Sequence, residues 1–161
     1  VRTAAKPIIL SGIGSALATA SPTVLSGPAT VEGTGLDPDL AEAIDAGRKD
    51  TTTAACRDIA HSPLNGGHPC GASFLMCLGC SNAVVTPRHL PRLVYLQACL
   101  EVLRQNLADS PSWHRMAVHW ARLNDLLEQN FTPQERAAAA DRLTASDAAL
   151  IDGTLERRYD A

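Results

Sequence analysis

The sequence predicts a mainly α-helical chain carrying a loop-built metal knuckle, and three observations lead there. Two neighbouring stretches place large apolar residues at helical spacing, four of the five cysteines crowd together ahead of them, and aromatic residues are scarce at 4%. A leucine stripe at Leu93, Leu96, Leu100, Leu103 and Leu107 recurs at 3, 4, 3 and 4 residues, which puts all five on one helix face. Trp113, Met116, Trp120, Leu123 and Leu127 repeat the rule directly afterwards.

Taken in order, residues 1–36 are rich in Ala, Gly, Ser, Thr and Pro and hold no period of 2 or 3.6. They are expected to form a short helix or strand followed by irregular, partly ordered chain. Their apolar run from Pro7 to Leu17 is broken by Ser11, Gly12, Gly14 and Ser15, a poor match to a cleaved secretion signal. The first residue is Val, which suggests a fragment of something longer. Asp37 and Pro38 read as N-cap and first helical position of a short helix with an apolar face at Leu40, Ala43 and Ile44, stopped by Gly47. From Cys56 the Asn-Gly-Gly and His-Pro turns mark a knuckle built from loops.

The two periodic helices follow, the second opened by Ser110 as N-cap and Pro111 at N1. Their short connection predicts an antiparallel hairpin with the leucine stripe against the tryptophan stripe. Thr132, Pro133 and Glu135 spell a capping box for a third helix, and Thr144 or Ser146 with Asp147 begins a fourth that runs toward Arg157 and Arg158. The organisation is therefore an irregular segment 1–36, a short helix and Cys-rich knuckle over 37–85, and a hairpin with C-terminal helices over 86–161 that forms one domain with the knuckle.

The cysteines are spaced C-x13-C-x6-C-x2-C at Cys56, Cys70, Cys77 and Cys80. Two thiolates on one tight turn, as Cys77 and Cys80 would be, bind a single tetrahedral ion, and four close the coordination sphere against a catalytic water. Structural Zn2+ is the natural occupant. His61 or His68 serves equally well as fourth ligand in place of Cys56, because imidazole suits zinc too. Zinc would supply folding free energy that an alanine-rich core does not, on the order of 10 kcal/mol in small zinc peptides. Clustered thiols and the absence of a disulfide spread point to a reducing cytoplasm. Cys99, within the leucine helix, reads as a small core hydrophobe. A thiol enzyme built on Cys99 or on the C-x2-C pair is the weakest alternative.

Net charge is -3, but it is uneven: residues 86–122 carry +3 and residues 123–161 carry -4. A globally basic nucleic-acid binder is excluded, while Arg88, His89 and Arg92 at the start of the leucine helix form a local basic spot able to meet phosphate. The competing reading is a solvated basic turn that pairs with the acidic C-terminal segment. His114 and His119, five apart, share no clean helix face. No phosphate loop, nucleophile elbow or H-E-x-x-H helix is present, so no catalytic residue is assigned and no small-molecule substrate is evident. No stretch approaches the length of a membrane span.

The run CRDIAHSPLNGGHPCGASFLMCLGCSNAVVTPRHLPRLVYL, followed by WARLNDLL and ASDAALIDGTLERRYD, resembles the C-terminal region of large actinobacterial integrase-like proteins related to the tyrosine recombinases. The most specific part is the signature from Pro69 to Leu93, and the similarity extends from about residue 40 onward. The resemblance implies DNA integration or recombination, with this chain a cysteine-bearing accessory module that binds DNA, another protomer or a recombinase domain. His89 and Arg92 spell the H-x-x-R box of such enzymes, yet Tyr95 follows by three residues and Tyr159 lies at the far end. The match is coincidental on this reading, and the catalytic domain would precede Val1. The rival class is a zinc-structured protein-protein assembly module.

Overall fold

The computed structural model describes residues 21–159, with side chains through Arg157. Residues 1–20 of the segment 1–36 lie outside the described residues. The architecture is mainly α, with a small sheet. In chain order it runs β1 (Thr23–Val24), α1 (Pro38–Asp45), β2 (Ala55–Cys56), 3-10 turns at Pro63–Asn65 and Phe74–Gly79, and β3 (Ala83–Val85). A further 3-10 turn at Pro87–His89 leads into α2 (Leu90–Leu107), α3 (Pro111–Asn130), α4 (Pro133–Asp141) and α5 (Ala145–Tyr159).

The helix ends are set by the caps the sequence advertises. The Asp37 carboxylate accepts the N–H groups of Asp39 and Leu40, and Gly47 leaves the helix with φ +76°. Ser110 Oγ accepts the Trp113 N–H at 3.2 Å, a contact worth about 1 kcal/mol. Thr132 and Glu135 exchange bonds in a full capping box, and Thr144 and Asp147 do the same at the head of α5.

The antiparallel hairpin of α2 and α3 forms as its two stripes require. Leu93, Leu96, Leu100, Leu123 and Leu127 are fully buried, and Trp113 meets Trp120 edge to face with centroids 6.1 Å apart. The outer rungs, Leu103, Leu107 and Trp120, are only half-buried. Polar bonds pin the register across the pair: Gln97 Nε2 to Asn124 Oδ1 at 2.6 Å and Trp120 Nε1 to Glu101 Oε2 at 3.2 Å. α2 also packs against α4 and α5, which places Ala139, Ile151 and Leu155 in the same core.

The sheet was not legible in the sequence. Its order is β1-β3-β2, with β3 central, parallel to β1 and antiparallel to β2. Strands of two or three residues are too short for alternation to show. They seat a second apolar cluster, in which Ala29, Ala41, Ile44, Ala55 and Val84 close under α1. Residues 25–36 have irregular backbone, held at two points by hydrogen bonds. The Asp45 carboxylate accepts the N–H groups of Ala29 and Thr30 at 2.7 and 2.9 Å, and the Leu25 N–H reaches Val85 O at 2.8 Å. A carboxylate 16 and 15 positions from the N–H groups it accepts is not a signal that periodicity reveals.

Candidate metal centre

Four thiols that fall within 25 positions of sequence line one cavity of about 320 Å3, set between β2, the Phe74–Gly79 turn and the loop 57–72. Cys56 arrives on β2 and Cys70 at the loop end, where its N–H bonds Ile59 O at 2.8 Å. Cys77 and Cys80 arrive together on the 3-10 turn, closed by the Cys80 N–H on Cys77 O at 3.2 Å. All five cysteines are free thiols.

The loop is shaped by backbone chemistry. Asn65, Gly66 and Gly67 make the expected turn, the two glycines at φ +58° and +85°, where a Cβ would be strained. Asn82, just beyond Cys80, fastens the loop from inside: its amide donates to Asp58 O at 2.8 Å and His61 O at 3.0 Å. The sequence reading assigned Asn82 no role, since a single amide has no spacing to betray it.

Burial pushes the Cys56 and Cys77 thiols above their ordinary range, and neighbouring thiols push the same way. Two local donors oppose this, the Asp58 N–H at Cys56 and the Thr51 hydroxyl 3.9 Å from Cys77 Sγ. A divalent cation in the cavity would reverse the balance and deprotonate the thiols outright. Four soft sulfurs are a donor set that suits zinc, and Asp50 and Asp58 line the same cavity. The four sulfurs line the wall without converging: among the described residues no three His, Cys, Asp or Glu groups stand at metal-ligating geometry. Neither histidine considered as a substitute lines the cavity. His61 is exposed and its Nδ1 pairs with Asp58 Oδ2 at 2.8 Å, and His68 is exposed on the loop.

Arg88, His89 and Arg92 are gathered on a single carboxylate, that of Asp50. Arg88 meets it bidentately at 2.7 and 2.8 Å and donates also to Ile44 O at 2.8 Å. His89 is fully buried: Nδ1 accepts the Thr86 N–H at 3.0 Å, which leaves the hydrogen on Nε2, 3.1 Å from Asp50 Oδ1. Arg92, also buried, donates to the carbonyls of Thr51 and Thr52 at 3.2 Å and reaches Asp50 and Asp147 at 3.3 and 3.5 Å. The basic spot is thus turned inward on the chain's own acids, Asp147 of the acidic C-terminal segment among them. Burial raises the Asp50 carboxyl, but the hydrogen bonds from His89 and Arg88 and the Arg88 charge outweigh it and hold the group well below the usual carboxylate range. Asp50 itself was invisible in the sequence reading, being a lone acid 38 residues from its nearest basic partner.

Cys99 packs half-buried beside Tyr95 and Asp152. Burial raises its thiol, the Tyr95 hydroxyl lowers it and the Asp152 charge raises it again, so it rests protonated. Among the described residues no helix is long and apolar enough to cross a membrane. Compared with family models, with curated proteins and with solved structures, the chain finds no match.

Proposed function

We propose that the chain is a non-catalytic module whose fold is completed by structural zinc on Cys56, Cys70, Cys77 and Cys80, and whose work is to hold a neighbouring protein or protomer. The observation that carries the zinc part is that cysteines from three separate segments line one cavity. On this reading the four sulfurs, which line the cavity without converging, close on the ion when it binds. His61 and His68 are left out of the ligand set on this reading, because neither lines that cavity.

A protein-contact role is favoured over a DNA contact by the Asp50 network. Donors that would meet phosphate are engaged within the chain, while Val102 and Val118 stand exposed on the hairpin at 56% and 49%. The setting we propose is an accessory, C-terminal part of an integrase-like protein in a reducing cytoplasm, as the Pro69–Leu93 signature implies. Elemental analysis of the purified chain tests the reading. One zinc per chain, with helix signal lost on chelation, supports it; no metal and no response to chelator overturns it. Salt-sensitive DNA binding that disappears in Arg88→Ala/Arg92→Ala would move the role back to DNA.

A further inference from the structure

The C-x2-C turn is held from behind by a residue of the hairpin. Within Cys77-Leu78-Gly79-Cys80, Gly79 lies against the side chain of Arg122, which comes from the middle of α3. A Cβ built on Gly79 would fall 2.7 Å from Arg122 Cζ and 3.2 Å from Nε, and nearer still to Nη1. The guanidinium therefore lies over a bare Cα, and any side chain at position 79 would displace it from there. No carboxylate pairs with Arg122 among the described residues. The rest of the turn is buried alongside: Leu75 and Leu78 belong to the core that the hairpin encloses.

We infer that Arg122 is a positioning residue for the thiol centre, its guanidinium clamping Gly79 so that Cys77 and Cys80 are presented side by side to one metal ion. The inference rests on the zinc reading above. Groups just outside a metal's ligands orient them, and loss of such a group typically weakens metal binding about ten- to a hundredfold. Here the contact is between a flat cation and a backbone, so lysine, which keeps the charge but not the plate, substitutes only in part. A tetrathiolate zinc centre carries net charge -2, and a cation lying against Gly79 of its turn favours that charge state.

The experiment uses the full chain loaded with Zn2+ or, as a spectroscopic probe, Co2+. Metal affinity is read by chelator competition and ligand geometry by the cobalt d–d bands. In Arg122→Leu, zinc is expected to bind about tenfold more weakly with altered cobalt bands, and Arg122→Lys is expected to recover part of both. Wild-type affinity and wild-type bands in Arg122→Leu would overturn the inference and leave the zinc centre standing. Failure of the wild-type chain to bind either metal would overturn both. Should Arg122→Leu not fold, Gly79→Ala displaces the plate with Arg122 retained, and the same weakening is expected; unchanged cobalt bands there would overturn the clamp.

Discussion

The carboxylate of Asp50 and the guanidinium of Arg88 meet edge to edge, with Oδ1 2.7 Å from Nη2 and Oδ2 2.8 Å from Nη1, across 38 residues of chain. The same two oxygens also receive His89 and Arg92, so one acid gathers the basic head of α2 and ties it to the strand-and-loop half. Asp50→Asn keeps the shape but leaves Arg92, 10% exposed at its side chain, without its main counter-charge. A loss of about 3 kcal/mol is expected in urea denaturation; a loss under 1 kcal/mol would mean that Asp147 and the Thr51 and Thr52 carbonyls suffice.

Acid sensitivity follows from the same group. The folded carboxyl of Asp50 lies below its unfolded value of 3.8, so its contribution is fully present above that value and is lost as pH falls toward the folded one. Wild-type stability is expected to fall below about pH 4 more steeply than that of Asp50→Asn. Parallel curves in guanidinium titrations from pH 2 to 6 would show that other acids carry the acid limb.

Metal removal distinguishes the cysteines by position. Cys77→Ser is expected to abolish stoichiometric zinc and to lower the thermal midpoint, whereas Cys99→Ser leaves zinc content unchanged, since Cys99 sits on α2 beside Tyr95. Equal zinc content in both variants would remove Cys77 from the centre.

Tyr95 gives a spectroscopic check on how α2 meets α5. Its hydroxyl donates to Asp152 Oδ1 at 2.9 Å, and that bond, with the neighbouring Cys99, pushes the phenol up to about 12. Ultraviolet titration should show a late-ionising tyrosine that moves toward the ordinary value of 10.0 in Asp152→Asn. A phenol that already ionises near that value in the wild type would place the α2–α5 contact elsewhere.

The half-buried Glu101 is a second reporter. The Arg104 guanidinium binds its carboxylate at 2.6 and 2.9 Å and lies 5.2 Å from the centroid of Trp120, and Glu101 is held down at about 2. Carbon-detected NMR titration should find that low midpoint and its return toward 4.5 in Arg104→Ala. No change on substitution would deny the pair in solution.

What the sequence revealed and what it hid divide along physical lines. The hairpin, its caps at Ser110, Thr132 and Thr144, and the short helix after Asp37 were legible because each depends on residues within a turn or two of one another. The gathering of Cys56 and Cys70 with the C-x2-C pair was legible as chemistry, because thiol clustering is itself the signal. The three-residue β3, the anchoring of residues 25–36 by Asp45, and the capture of Arg88, His89 and Arg92 by Asp50 were not. Each is a contact between distant positions made by a residue whose type is commonplace. Gly79 and Arg122 belong to the same group: only the fold reveals that 43 positions of chain bring a bare Cα beneath a guanidinium.

The Asp50 clasp also has a kinetic side. The two long helices are joined by three residues, so their mutual contacts close small loops and are expected among the first to form. The clasp must close loops of about 40 residues, and its ordering entropy is met only after the hairpin provides a surface for α2's head to rest on. Substituting Asp50 should therefore steepen or raise the unfolding limb of the chevron while the refolding limb stays where it was, marking the strand-and-loop half as the last region to dock and the first to let go.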